Sequence, residues 1–370
     1  MLIPNIMARY FNTAGPNKAD LNYTIDPLSR FDLDEILFLI EQQKYFVLHA
    51  PRQTGKTSCM LALRDHLNKS GKYVAVYANV ENGQSAINDV GRAVGAVCNE
   101  IAVRFKDILK SDDSVQILKA LKDTEPDSKL NLFLRQLTGF CSLPVVLFLD
   151  EIDALVGDSL VSVLRQLRSG YDDRPDSFPQ SIILCGVRDV RYYRIVLSNQ
   201  DIITGRSVFN IQAKSLRIGD FSIEEIRELY NQHTEETGQK FEKECFPLIW
   251  TATEGQPWLV NAIGHEVTYE MKENRDRSVI IIPEMVEKAI ESIIYRRDTH
   301  IDILIDKLKE ERVRRVIEPL LAGKDAFEDN LIPEDDIRYV HDLGLIKNER
   351  GKTRRISNAI YKEIIPRVLT

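Results

Sequence analysis

The sequence predicts an α/β fold, a parallel sheet flanked by helices, followed by an all-helical region and a C-terminal winged-helix domain. Three observations predict it. Lys44 to Met60, KYFVLHAPRQTGKTSCM, passes from an uninterrupted apolar run through a turn into a helical pattern. Leu143 to Leu155, LPVVLFLDEIDAL, is a second apolar run that ends in two adjacent carboxylates. Between and after these stretches strand-like and helical patterns alternate, as a parallel sheet requires, and from Phe221 onward the pattern is helical.

The elements follow in order. Residues 1–31 are rich in turn formers (Asn12, Gly15, Pro16, Asn17, Asp26, Pro27), but Tyr10, Phe11, Tyr23 and Phe31 make an ordered strap the expectation, since solvated tails seldom carry so many aromatics. Asp32 to Gln42 places Leu33, Ile36, Leu37 and Ile40 on one helical face. Tyr45 to Leu48 is the first strand, apolar at every position because both its faces are covered. Pro51 to Gly55 form a turn, and Lys56, Thr57 and Ser58 open a helix whose Met60, Leu61, Leu63 and Leu67 recur at helical spacing. Tyr73 to Val80 is the second strand, Ile87 to Ile108 a long amphipathic helix, Asp123 to Lys129 a polar connection and Leu130 to Gly139 a helix. The strand within Leu143 to Leu155 comes third. A helix over Ser159 to Ser169, a fourth strand over Ser181 to Val187 and a fifth over Ser207 to Gln212 complete this part.

The chemistry lies at two strand ends. A polyphosphate needs inward-facing backbone N–H groups, a helix N-terminus, one cation and a hydroxyl for magnesium. Lys56 supplies the cation and Thr57 the hydroxyl, while Pro51, Arg52, Gln53, Thr54, Gly55 and Ser58 complete the loop. In the pattern G-x-x-x-x-G-K-[ST], Ala50 stands at the first glycine. It adds one methyl at a strand end, a variation the loop should tolerate. Adjacent acids at a strand tip could be a solvated turn, but with this loop upstream Asp150 is expected to hold magnesium and Glu151 to polarise the attacking water. Arg188, at the tip of the next strand, either senses the γ-phosphate or pairs at the surface with Asp189 or another acid. Together these features describe a P-loop NTPase core of the ASCE type.

Composition bounds the remaining possibilities. At 370 residues, 44% hydrophobic and 28% charged, the chain is globular and long enough for two or three domains. A formal charge of −7 gives no general basic field, so nucleic-acid contact would need a local patch. Cys59, Cys98, Cys141, Cys185 and Cys245 are scattered and lack C-x-x-C spacing, which suits buried thiols in a reducing cytoplasm. MLIPNIMARYF lacks the apolar core of a signal peptide, and runs such as Val145 to Leu149 fall far short of the roughly 20 residues of a membrane helix, so neither export nor a membrane partner is expected.

Ser222 and Glu225 form a capping box before a helix with Ile223, Ile226, Leu229 and Tyr230 on one face. Helices over Phe241 to Thr251 and Trp258 to Met271 are joined by EGQPW, where Gly255 suits the bend and Pro257 the first turn. Glu284 to Arg297 completes a helical lid. Helices around Ile301 to Lys309, Arg312 to Leu321 and Glu334 to Leu343 precede two short strands about Glu349, Arg350 and Gly351, the order of a winged helix. Its third helix carries Glu334, Asp335, Asp336 and Asp342 against Arg338, poor for a phosphate-lined groove; the wing, with Arg350, Lys352, Arg354 and Arg355, is better suited to DNA. Alternatively the domain is a packing module that contacts the lid or another protein.

APRQTGKTS, LFLDEIDAL, CGVRD and EGQPWLVN, with the lid and winged helix, resemble the AAA-like ATPases of the STAND and archaeal-type ATPase lineage, relatives of the origin-recognition-complex ATPases. The resemblance covers nearly the whole chain, including YFNTAGP and ISNAIYKEIIPRVL. It implies ATP and Mg2+ as cofactors, with Pro257 reaching toward the nucleotide and Tyr23 to Arg30 gripping adenine. Ala50 departs from the family pattern, and no separate sensor arginine stands in the lid. No fused effector is apparent, so the output would be a protein partner, self-association or the winged helix. The domains implied are a strap (1–31), an ATPase core (32–218), a lid (219–299) and a winged helix (300–370). The expected function is a slow, magnesium-dependent ATPase switch. A DNA-binding ATPase that loads or regulates a partner, and a non-hydrolysing nucleotide scaffold, are the alternatives.

Overall fold

The computed structural model describes residues 9–296, 305–323, 332–348 and 353–369. The chain divides into two compact units. An α/β unit comprises Leu28–Ala50 and Lys56–Ile218, and a helical unit comprises Met1–Pro27, Pro51–Gly55 and Gly219–Thr370.

In the α/β unit, α1 (Leu33–Glu41) starts where Asp32 accepts the Glu35 N–H at 3.0 Å, and leads into β1 (Tyr45–His49). Helix α2 (Lys56–Lys69) is followed by β2 (Val74–Asn79), α3 (Val90–Leu109), α4 (Asp113–Ala120) and α5 (Pro126–Gly139). Then come β3 (Val145–Asp150), α6 (Gly157–Ser169) and β4 (Ser181–Gly186). A small antiparallel hairpin of β5 (Arg194–Val196) and β6 (Ile202–Thr204), a short helix α7 (Gly205–Val208) and β7 (Gln212–Arg217) close the unit. The sheet is parallel in the order β2-β3-β4-β1-β7. Strand β4 thus lies between the strand before the Pro51–Gly55 loop and the strand that ends in Asp150, which is the ASCE arrangement.

The uninterrupted apolar strands have a direct cause. Tyr45, Val47, Val76, Leu147 and Leu184 enter one buried cluster with α3, α5 and α6, whereas Phe46, Leu48, Tyr77, Phe148 and Ile183 enter another with α1 and α2. Successive side chains point to opposite faces, so a strand covered on both needs apolar residues throughout. Each such Leu, Ile or Phe stabilises the fold by about 1.5–3 kcal/mol on transfer from water.

Within the α/β unit three sequence expectations shift, and in the helical unit the helices expected over Phe241 to Thr251 and Trp258 to Met271 are Cys245–Thr253 and Pro257–His265. The fifth strand is Gln212–Arg217 rather than Ser207 to Gln212. As the outer strand among the described residues, β7 pairs with β1 and keeps exposed polar residues such as Lys214, so it lacks an apolar signature; Val208, which ends α7, and Phe209, which follows it, are buried instead. Helix α5 begins at Pro126, inside the expected polar connection, because proline suits a first helical turn. Helix α3 begins at Val90: Ile87 has a left-handed φ of 49°, and Asp89 caps the Arg92 N–H at 3.0 Å.

In the helical unit, the expected capping box is present, with Ser222 accepting the Glu225 N–H at 3.1 Å and Glu225 accepting the Ser222 N–H at 2.6 Å. It opens α8 (Ile223–Thr237), which is followed by α9 (Cys245–Thr253), α10 (Pro257–His265) and α11 (Pro283–Arg296). Beyond α10 the chain passes into a π-helical turn at Glu266–Glu270, where the Glu266 carboxylate meets Ser292 at 2.9 Å and Arg296 at 2.5 Å on α11. The segment before Pro27 packs here: Phe11 lies 4.9 Å from Tyr23 and 4.8 Å from Tyr230 between ring centroids, and the Tyr23 hydroxyl meets His233 Nδ1 at 3.1 Å. Trp258 Nε1 donates to the Thr13 carbonyl at 2.8 Å, and Gln232 exchanges two bonds with the Thr24 backbone. Helices Glu311–Leu321 and Glu334–Asp342, an antiparallel pair β8 (Ile346–Lys347) and β9 (Arg355–Ile356), and helix Ala359–Ile364 follow. One apolar cluster runs from Phe11 through Tyr230 and Ile293 to Val316, Ile346 and Ile365. Residues 301–304 of an expected helix, and Arg350 and Lys352 of the expected wing, lie outside the described residues.

Candidate active site

The loop between β1 and α2 is shaped by two left-handed residues, Gln53 at φ 59° and Gly55 at φ 88°. Gly55 supplies this conformation without the steric cost that a Cβ adds. Thr54 is buried and ties the turn by donating to the Pro51 carbonyl at 2.8 Å, while Arg52 and Gln53 are exposed. Helix α2 begins directly at Lys56, so its unbonded N–H groups and dipole stand at the loop. The Lys56 side chain folds back and donates to the Ala50 carbonyl at 3.1 Å, with only 6% of the residue exposed. Ala50 is fully buried against Cys59 and Ile218, so the methyl that replaces the usual glycine is packed. Ser58 lies in the first turn and is partly buried.

Strand β3 delivers Asp150 to this helix. Its carboxylate is fully buried and accepts the Thr57 hydroxyl at 2.9 Å and the Tyr77 hydroxyl at 2.8 Å on Oδ2, and the Glu151 N–H at 2.8 Å on Oδ1. Burial first, and then the Asp150 charge, push the Tyr77 phenol far above its ordinary range, so it acts as a fixed donor. Glu151 has a left-handed φ of 57°. Such a conformation is uncommon for a residue with a side chain and turns the chain sharply at the strand tip.

Sequence reasoning missed Asp153. Three residues past Asp150 on the short 3-10 turn Ile152–Ala154, its carboxylate accepts the Val187 N–H just beyond β4. A Cβ at Gly186 would lie 2.8 Å from both of its oxygens. Desolvation raises the Asp153 carboxyl to about 6, against the lowering effects of the Val187 N–H and the Lys56 charge; Glu151 and Arg188 are also close enough to act on it. A third acid at this spacing followed by a glycine at the end of the next strand was the available signal. Arg188 is 9% exposed and donates to the Tyr192 carbonyl at 3.2 Å, whereas Asp189 is bound by Arg191 at 2.6 Å.

Lys56, Thr57, Asp150, Glu151 and Arg188 therefore fall within one unit, at the C-terminal ends of its parallel strands, where open α/β sheets bind ligands. Pro257 belongs to the helical unit, where it is buried at the start of α10 and its carbonyl accepts from Asn261 at 2.8 Å. Arg355 makes a bidentate pair with Glu254, 2.8 Å on both arms, and Lys347 pairs with Asp220, so these two cations near the expected wing each have an acidic partner. The donor set within the α/β unit fits a magnesium polyphosphate: a helix N-terminus, one ammonium, and a hydroxyl joined to a carboxylate. No group of three or more His, Cys, Asp or Glu that could hold a metal occurs among the described residues, and magnesium needs none where phosphates supply ligands. No helix among them is long and apolar enough to cross a membrane.

Residues 40–193 match the family model described as an AAA domain. No curated protein matches the chain. Among solved structures, the chain is similar to a Walker-type ATPase of Pyrococcus abyssi at 15% identity and a TM-score of 0.57, over 91% of this chain and 96% of that one, a likeness that shows the fold. Cdc6p of Pyrobaculum aerophilum matches at 15% identity and a TM-score of 0.48, over 92% of each chain. The Aeropyrum pernix Orc1 protein, solved in complex with DNA, matches at 15% identity and a TM-score of 0.44, over 98% of this chain and 94% of that one.

Proposed function

We propose that this chain, whose residues 40–193 are an AAA-type P-loop domain, binds ATP with magnesium and hydrolyses it slowly to reset a conformational switch. The observation that carries the reading is the 2.9 Å bond from Thr57 to buried Asp150, one helical residue from Lys56. Lys56 and the N–H groups of the loop hold the phosphates, and Pro51, Arg52, Gln53, Thr54, Gly55 and Ser58 line their path. Thr57 and Asp150 hold the magnesium, which when bound draws charge from the phosphate oxygens. Glu151 orients the attacking water and accepts its proton, while Arg188 senses the γ-phosphate.

The readout in this proposal is a rearrangement involving the helical unit, with Pro257 responding to nucleotide and the elements from Glu311 to Leu369 acting as a winged helix. Its partner is a protein or another copy of the chain, with DNA at the wing the alternative, since the helix Glu334–Asp342 with its Glu334, Asp335 and Asp336 suits a phosphate-lined groove poorly. Calorimetric titration of ATP tests the premise: Lys56→Ala should abolish binding, and unchanged affinity would refute the site.

A further inference from the structure

We propose that Asp153 is a positioning residue, whose carboxylate, seated against the Cβ-free face of Gly186 and accepting the Val187 N–H, fixes the tip of β4 and with it Arg188 relative to the turn bearing Asp150 and Glu151. The inference rests on the nucleotide site proposed above for its functional half, but its contact is a property of the chain alone.

Asp153 sits on a 3-10 turn anchored at both ends: the Ala154 N–H donates to the Glu151 carbonyl at 2.9 Å, and Ile152 is fully buried. The turn follows directly on Asp150, the last residue of β3. Strand β4 is held along its length by both neighbours, but its ladder with β3 ends at Leu184 and that with β1 ends at Gly186. Beyond that point the backbone must turn toward Arg188 without a strand partner at Val187. Asp153 supplies the missing acceptor. Gly186 permits it, since a side chain there would collide with both carboxylate oxygens. The position of Arg188 is thus set through Asp153 by the same turn that presents Glu151. A sensor group and a water-orienting group on different strands gain a fixed spacing in this way, and misplacement by about 1 Å can cost about 10²-fold in rate.

The test uses the full chain with Asp153→Ala, Asp153→Asn and Gly186→Ala. In nucleotide-free protein, Asp153→Ala should speed exchange of the Val187 amide by about tenfold, as expected for loss of one hydrogen bond, while Asp153→Asn, which keeps an acceptor oxygen, should stay near wild type. With nucleotide, Asp153→Ala should keep its ADP affinity within about threefold but lose about 10²-fold in single-turnover hydrolysis, and Asp153→Asn should recover most of that loss. Gly186→Ala should reproduce Asp153→Ala, which secures the test if the latter folds poorly. Unchanged Val187 exchange in both Asp153→Ala and Gly186→Ala would overturn the contact. Faster exchange with unaltered hydrolysis would overturn the positioning role. If Lys56→Ala still binds ATP, the nucleotide site fails and the Arg188 role with it, and the exchange result alone decides the Asp153 contact.

Discussion

The hydroxyl of Thr57 donates to Asp150 Oδ2 at 2.9 Å, joining the first turn of α2 to the tip of β3. Tyr77 donates to the same oxygen from β2, so three elements meet at one buried carboxylate. Tyr77→Phe should cost about 1.5–3 kcal/mol, the usual worth of a hydrogen bond to a charged group, and lower the urea midpoint at unchanged slope. Asp150→Asn should instead make ATP affinity insensitive to magnesium, as titrations with and without the metal would show.

Asp153 gives the α/β unit an unusual pH response. Burial raises its carboxyl to about 6 from an ordinary 3.8, so the folded chain retains a proton that the unfolded chain has released at pH 5. Its stabilising contribution is complete below about pH 4 and is lost as pH rises through about 6. Asp153→Asn, permanently neutral, should therefore be more stable than wild type at pH 7.5 by at most about 3 kcal/mol, with the difference gone near pH 4. Paired urea melts check this.

His233 acts in the opposite sense. Burial lowers its pKa despite the Gln239 bond, so the stability it contributes is present above pH 6.5 and is lost as pH falls below that value. Acid should loosen the Tyr23 contact and the segment that Trp258 holds through Thr13. In a Trp250→Phe background, Trp258 fluorescence should change between pH 7 and 5, and His233→Gln should flatten that change.

What could be read from sequence follows from how locally each feature is encoded. The β1-loop-α2 stretch and the Asp150 strand were legible because doubly covered strands need contiguous apolar residues, and a phosphate loop needs GKT at a helix start. Strand β7 was not, because an outer strand with Lys214 exposed has no apolar run to betray it. Asp153 was missed because its role depends on Gly186, 33 residues away by number, and only the folded sheet brings them together. Arg355 read as a free wing cation, whereas its partner Glu254 sits at the end of α9.

That pair yields a further expectation. An exposed ion pair contributes about 0–1 kcal/mol, so Glu254→Ala should leave the melting temperature nearly unchanged. If the C-terminal elements do not face DNA, wild type should bind a duplex only in the non-specific range of about 10⁻⁴–10⁻⁶ M at physiological salt, and Arg355→Glu should leave that affinity unaltered. Fluorescence anisotropy across a salt series measures both.

Single-turnover hydrolysis by Glu151→Gln tests the central claim most directly, because Glu151 separates an ATPase switch from a nucleotide-holding scaffold. Its left-handed backbone at the strand tip and the bond from its N–H to Asp150 place it beside the acid proposed to hold magnesium. The amide should preserve ATP and magnesium affinity while slowing hydrolysis by about 10²–10⁴-fold, the usual effect of losing a positioned general base. Hydrolysis at the wild-type rate with ATP bound would contradict the account.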